Sequence, residues 1–141
     1  MKKRIVPIIC AVLFMLNLCG VANAATQASD YFGCTAVYAT AIGGGKVLVE
    51  FDIDATHIMK EVGATEVFIY EQQSSGSYKK VYTFTSDEYY SDMIDTNSAF
   101  GNGEVTYQGT PGTKYYALVG VYAKDKDGSE TRYFTTNIVT A

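Results

Sequence analysis

The chain has no tryptophan, one histidine and three cysteines in 141 residues. Cys10 and Cys19 lie in an N-terminal segment expected to be removed, so Cys34 stands alone and no internal disulfide is expected. Zinc takes about three or four Cys, His or carboxylate ligands, and His57 with Cys34 falls short of such a set. No metal and no cofactor is therefore expected. A catalytic triad or dyad would have to be built on His57, which reads instead as an exposed residue. Cys34, on a predicted strand among Phe32, Ala36 and Tyr38, reads as a small buried hydrophobe. Gly43-Gly44-Gly45 is followed by Lys46-Val47, without the Lys-Ser/Thr and the helix of a phosphate-cradling loop, and reads as a turn.

Long apolar runs are scarce too. The single one, Ile5 to Leu18, follows Lys2, Lys3 and Arg4 and precedes Ala22-Asn23-Ala24, the order of a secretory signal peptide over residues 1–24. It is shorter than the ~20 residues that span a bilayer. Lipidation at Cys19 ranks below cleavage after Ala24, because Asn17 and Leu18 are poor occupants before a lipidated Cys. With no sorting motif or basic tail before Ala141, neither wall attachment nor a stable membrane anchor after cleavage is expected. Cleavage leaves one domain, residues 25–141, enough to bury a core without staples. The three basic residues of the leader go with it, leaving 8 Lys and Arg against 15 acids, a net charge of −7. Such a surface disfavours nucleic acid and anionic membrane as partners. The expected address is extracellular.

What is present is strand pattern. Ala25 to Asp30 is small and polar and is expected to fray. Phe32 to Thr40 reads as a strand with Phe32, Cys34, Ala36 and Tyr38 on one side. In Lys46 to Asp54, Val47, Val49, Phe51 and Ile53 alternate strictly with Glu50, Asp52 and Asp54, the mark of one face on a core and one in water. Ala55 to Val62 breaks the alternation. Met59 and Val62 stand three apart and Gly63 suits a C-terminal cap, so a short helix is expected here. Thr65 to Gln72 and Tyr78 to Thr85 read as a hairpin around Gln73 to Ser77. Ser86 to Asn102 is a long acidic connection, expected to drop Met93 or Ile94 into the core. Val105 and Tyr107, the turn Gln108 to Lys114, and alternating Tyr115, Ala117, Val119 and Val121 form a strand, corner and strand. Asp127-Gly128 then turns into a last strand, Thr131 to Val139.

The Tyr-x-x-x-Pro-Gly-Thr-x-Tyr pattern from Tyr107 to Tyr115, with its flanking strands, resembles a fibronectin type III or Ig-like module, with Tyr115 as the tyrosine of the corner before the penultimate strand. The resemblance implies an all-β, seven-stranded antiparallel Ig-like/fibronectin III-like sandwich, here with one short helix between the second and third strands. The chain departs from the pattern where Phe51 replaces the usual second-strand Trp and Gly109 the usual Leu before the turn, Tyr107 taking the role of that Leu. The whole mature chain is also similar to a group of small secreted proteins of Gram-positive gut bacteria, through Ala55, Thr56, Met59, Gly63, Ala64, Thr65, Ile69, Tyr70 and Glu71 and through Tyr107, Gly109, Tyr115, Tyr122 and Ala123. That similarity implies fold and compartment and brings no activity with it.

Chemistry-bearing constellations are few. Asp125-x-Asp127-Gly128-x-Glu130 has its Gly too early for a calcium loop and Thr136 where a bidentate Glu belongs, so it reads as a hairpin tip. Glu50, Asp52 and Asp54 alternate on one strand face without a cleft for glycoside hydrolysis. Tyrosine is the abundant residue, with 12 in the chain. Phe68, Tyr70, Tyr82 and Phe84 are expected to share a sheet face as a surface for a protein or glycan, with Tyr89 and Tyr90 on the long connection as second candidates. The expectation is a secreted, non-enzymatic binding module at or near the bacterial cell surface. A small extracellular enzyme or enzyme inhibitor is the alternative.

Overall fold

A computed structural model describes residues 29–141. The expected signal peptide over residues 1–24, and residues 25–28 of the segment expected to fray, lie outside the described residues. The rest is antiparallel β-structure with one short helix, in the order β1 (Phe32–Gly43), β2 (Lys46–Gln72), β3 (Tyr78–Thr85), α1 (Tyr90–Met93), β4 (Ile94–Gln108), β5 (Lys114–Lys124), β6 (Ser129–Thr135) and β7 (Val139–Thr140).

β2 organises the sheet. Laid flat, its 27 residues would reach roughly 90 Å, far beyond a domain of this size, so the strand must bend. It does so at register shifts between Asp54 and Met59 and between Ala64 and Glu66, as bulged strands do. Its first half pairs with β1 and β4 and its second half with β3 and β5; β5 continues to β6 and β7. The seven strands form one antiparallel sheet curled about β2. Val47, Val49, Phe51 and Ile53 of the first half and Val67, Ile69, Val119 and Val121 of the second are all buried in one core. Each such side chain contributes roughly 1.5–3 kcal/mol by leaving water.

Several expectations fail in instructive ways. The helix expected over Ala55 to Val62 is strand: Met59, Glu61 and Val62 pair with Ser98, Thr96 and Asp95 of β4, and Glu61 and Val62 also with Lys124 and Ala123 of β5. A helix of two turns is marginal by itself, and partners on both sides outweigh it. The expected second and third strands are thus one, and the only helix among the described residues sits later, at Tyr90–Met93. Gly63 is no helix cap; a Cβ there would stand 1.9 Å from the Met93 carbonyl oxygen, so glycine lets the end of α1 lie against β2. The expected anchors of that connection, Met93 and Ile94, are both buried.

β1 also differs from its reading. A bulge between Phe32 and Cys34 shifts the register against Ala55 and Asp54. Phe32 therefore turns into the core while Cys34, Ala36 and Tyr38 face solvent. Cys34 is exposed, not a buried hydrophobe. The strand's free edge is tied down by Asn137, whose side-chain oxygen accepts from Ala39 N at 2.9 Å and whose amide donates to the Ala39 carbonyl at 2.9 Å. Ser29, in the segment expected to fray, donates to Glu130 Oε2 at 2.6 Å and accepts from the backbone of Phe32 at 2.8 Å.

Candidate functional site

The corner at Tyr115 sets the geometry of the second half of the sheet. Its ring is fully buried. Its hydroxyl accepts from Thr110 N at 2.9 Å and donates to Glu71 Oε2 at 2.7 Å. Gly109 is required beneath it, since a Cβ there would come within 2.7 Å of the ring. Burial, foremost, raises the Tyr115 pKa above the ordinary tyrosine value. With Tyr115, Ala117, Val119 and Val121 turned inward, alternation sends Tyr116, Leu118 and Tyr122 to the opposite face.

That outer face is aromatic. Tyr70 of β2 pairs with Tyr116 of β5, and their rings stack at 4.8 Å and 5°. Tyr78 of β3 meets Tyr116 edge-on at 4.9 Å. Further along, Phe68 lies 6.4 Å from Tyr133 of β6. The Tyr133 ring covers Gly120, where a Cβ would stand 2.9 Å from it. Lys80 Nζ sits 4.8 Å from the Phe68 centroid. Such ring pairs contribute roughly 0.5–1.5 kcal/mol each beyond their burial. Among the described residues the hydroxyls of Tyr38, Tyr90, Tyr115 and Tyr133 are tied to Asp52, Glu61, Glu71 and Glu66. Those of Tyr70, Tyr78 and Tyr116 have no such partner. Burial, foremost, raises the Tyr116 pKa, and Tyr70 and Tyr78 add to it.

The four aromatics expected to share a face are divided between two. Val67 pairs with Phe84 and Ile69 with Tyr82, so Phe84 and Tyr82 follow the inward residues of β2, whereas Phe68 and Tyr70 point out. A shift of one residue reverses a strand's faces. Phe84 is buried, 5% exposed. It packs edge-on against Tyr82 at 4.8 Å and Tyr89 at 5.4 Å. Tyr82 continues to Tyr107 at 5.8 Å, and Tyr107 to Tyr115 at 5.7 Å. Tyr82 and Tyr89 thus belong to an inner rank of rings, although Tyr82 reaches the surface at its rim. Tyr89 is pushed up to about 12, first by Tyr82 and then by burial. Tyr90 is exposed and donates to Glu61 Oε1 at 2.8 Å. Sequence reading missed Tyr78, Tyr116, Leu118 and Tyr133. Tyr116 and Leu118 were accessible to it, because an inward Tyr115 and Ala117 imply outward neighbours.

The other constellations have simpler surroundings. His57 Nε2 lies 3.0 Å from Asp125 Oδ2 and Nδ1 lies 3.0 Å from Thr56 Oγ1. The Thr56 hydroxyl is also within 2.5 Å of the Asp30 carbonyl. Asp125 is held below the ordinary carboxylate range, chiefly by the backbone N–H of Asp127. It also accepts from Gly128 N at 3.0 Å. Asp127 meets Lys126, and Glu130 meets Arg132 and Ser29, so the three acids of this tip turn to different partners rather than to one centre. Glu50, Asp52 and Glu104 line a shallow cavity of about 250 Å³ with Tyr38 and Asn102. There Glu50 stands directly opposite Glu104.

No protein-family model matches the chain, and no curated protein matches it.

Proposed function

We propose that the chain is a secreted, non-enzymatic binding module working at or near the bacterial cell surface, and that its contact surface is the outer aromatic face of β3, β2 and β5. The observation that carries this reading is the stacked Tyr70–Tyr116 pair with Tyr78 edge-on, built on the solvent side of a sheet whose opposite face already supplies the core. Large rigid aromatics contact partners at low entropic cost, and three hydroxyls without partners among the described residues supply polar contacts. Phe68 and Tyr70 keep their place from the sequence reading. Tyr90 lies further along, and Tyr82, Phe84 and Tyr89 lie on the other side of the sheet, outside the proposed surface.

The same reading makes the fold an Ig-like or fibronectin-like sandwich, with β1, the first half of β2 and β4 as one layer and β3, the second half of β2, β5 and β6 as the other. The order of strand pairs and the Tyr115 corner favour it. The address rests on the leader at residues 1–24, and recovery from culture medium of a chain beginning at Ala25 would support it. The function is tested by glycan arrays and by capture of culture-surface partners with the mature protein and its Tyr70→Ala/Tyr116→Ala variant. Binding that disappears in the variant supports the proposal. Binding that survives it removes the aromatic face from the account.

A further inference from the structure

The aromatic cluster has a charge bias that narrows its ligand. Lys80 pairs with Tyr70, so both lie on the outer face, and Lys114 precedes Tyr116 by two residues on the same face. Among the described residues the ion pairs involve neither lysine. The acids nearby are engaged elsewhere: Glu71 takes the Tyr115 hydroxyl on the inner side, and Glu66 takes the Tyr133 hydroxyl. In a chain that carries 15 acidic residues against 11 basic ones, this is a local cationic spot beside the stacked Tyr70–Tyr116 pair and the edge-on Tyr78, with Lys80 Nζ resting over the Phe68 ring next to them.

Resting on the binding-face reading above, we infer that the ligand is an acidic glycan: a pyranose ring packs its C–H surface on the Tyr70, Tyr78 and Tyr116 cluster, and its carboxylate lies between Lys80 and Lys114. Strands two apart and one residue pair offset place the two lysine Cα atoms roughly 12 Å from each other. That span admits one sugar ring with a flexible ammonium reaching in from each side. The free tyrosine hydroxyls face the ring hydroxyls, and the two charges select a carboxylate over a neutral sugar. A cationic ligand is disfavoured by the same lysines. The site needs no approach by a wholly anionic polymer to the acidic face carrying Glu50, Asp52 and Glu104, which lies on the layer of β1 and β4.

The test is calorimetric titration of the mature protein with oligogalacturonate, with its neutral methyl ester and with a neutral gluco-oligosaccharide. The expected order is oligogalacturonate roughly tenfold tighter than its ester, with that preference lost in Lys80→Gln/Lys114→Gln and weakened by added salt. Tyr116→Ala should lower affinity for every glycan by ten- to a hundredfold, roughly, with an unchanged circular dichroism spectrum and a still cooperative melt, at a lower midpoint, as the control for folding. Equal affinity for acid and ester, or a preference that survives both lysine substitutions, overturns the acidic ligand while leaving the binding face in place. Binding unaffected by Tyr116→Ala overturns both. Absence of glycan binding together with binding to phosphatidylglycerol vesicles also overturns the proposal, in favour of a lipid surface.

Discussion

Replacing Tyr115 by Phe removes one oxygen from a buried corner and leaves the ring in place. Two hydrogen bonds go: one from Thr110 N at 2.9 Å and one to Glu71 Oε2 at 2.7 Å. A neutral bond is worth roughly 0.5–1.5 kcal/mol and one to a charged group roughly 1.5–3 kcal/mol. Thr110 is exposed and Glu71 half-buried, so water replaces part of what is lost. The expected cost is about 2 kcal/mol, or about 8 °C in Tm for a domain of this size. Urea denaturation followed by circular dichroism measures it as a lower midpoint at unchanged slope. Tyr116→Phe is the matched control: its hydroxyl has no partner among the described residues, and the change should stay within ~0.5 kcal/mol. Combining Tyr115→Phe with Glu71→Gln should show a coupling of about 1 kcal/mol. If Tyr115→Phe costs no more than Tyr116→Phe, the corner does not fix the second half of the sheet as described.

Asn137→Ala removes both bonds to Ala39 and should cost about 1–2 kcal/mol; because it also frees the edge of β1, size-exclusion chromatography should show new oligomers, and a monomer of unchanged stability would contradict the assignment. Cys34, being exposed, should react stoichiometrically with a thiol reagent in the native protein, and labelling that requires denaturant would refute the bulge at Gly33. Asp125 is held below the ordinary carboxylate range, chiefly by the Asp127 N–H and further by His57 and Gly128. Its stabilising effect is therefore present above its unfolded pKa of about 4 and is lost as pH falls through the lower folded value. Asp125→Asn should flatten the acid limb of a stability–pH profile, and an unchanged limb would show that the carboxylate contributes nothing.

The sequence made legible whatever depended on strict alternation or on corner chemistry. Val47 to Ile53 and Tyr115 to Val121 bury the residues their period assigns them, and the Tyr115 hydroxyl bonds back across the turn as its place before the strand implied. What failed, failed at bulges. The extra residue near Gly33 reverses the faces of β1, and the shifts along β2 break the period so that Met59 and Val62, both buried, mimic a helical spacing. The register between β2 and β3 put Phe84 with Val67 rather than with Phe68. Local pattern carries no information on where a partner strand slips by one residue, and that slip decided which aromatics form the surface. The long connection was half legible: its buried Met93 and Ile94 were expected, but the start of β4 at Ile94, and so the partner that keeps Ala55 to Val62 extended, was not.

The central claim is that ligand meets the chain on the outer face of β3, β2 and β5. Backbone amide chemical shifts recorded during titration with oligogalacturonate test it most directly. Changes confined to residues 68–72, 78–80 and 114–118 are the predicted result. Changes centred on Glu50, Asp52 and Asn102, or on His57 and Asp125, with the aromatic strands silent, would contradict it.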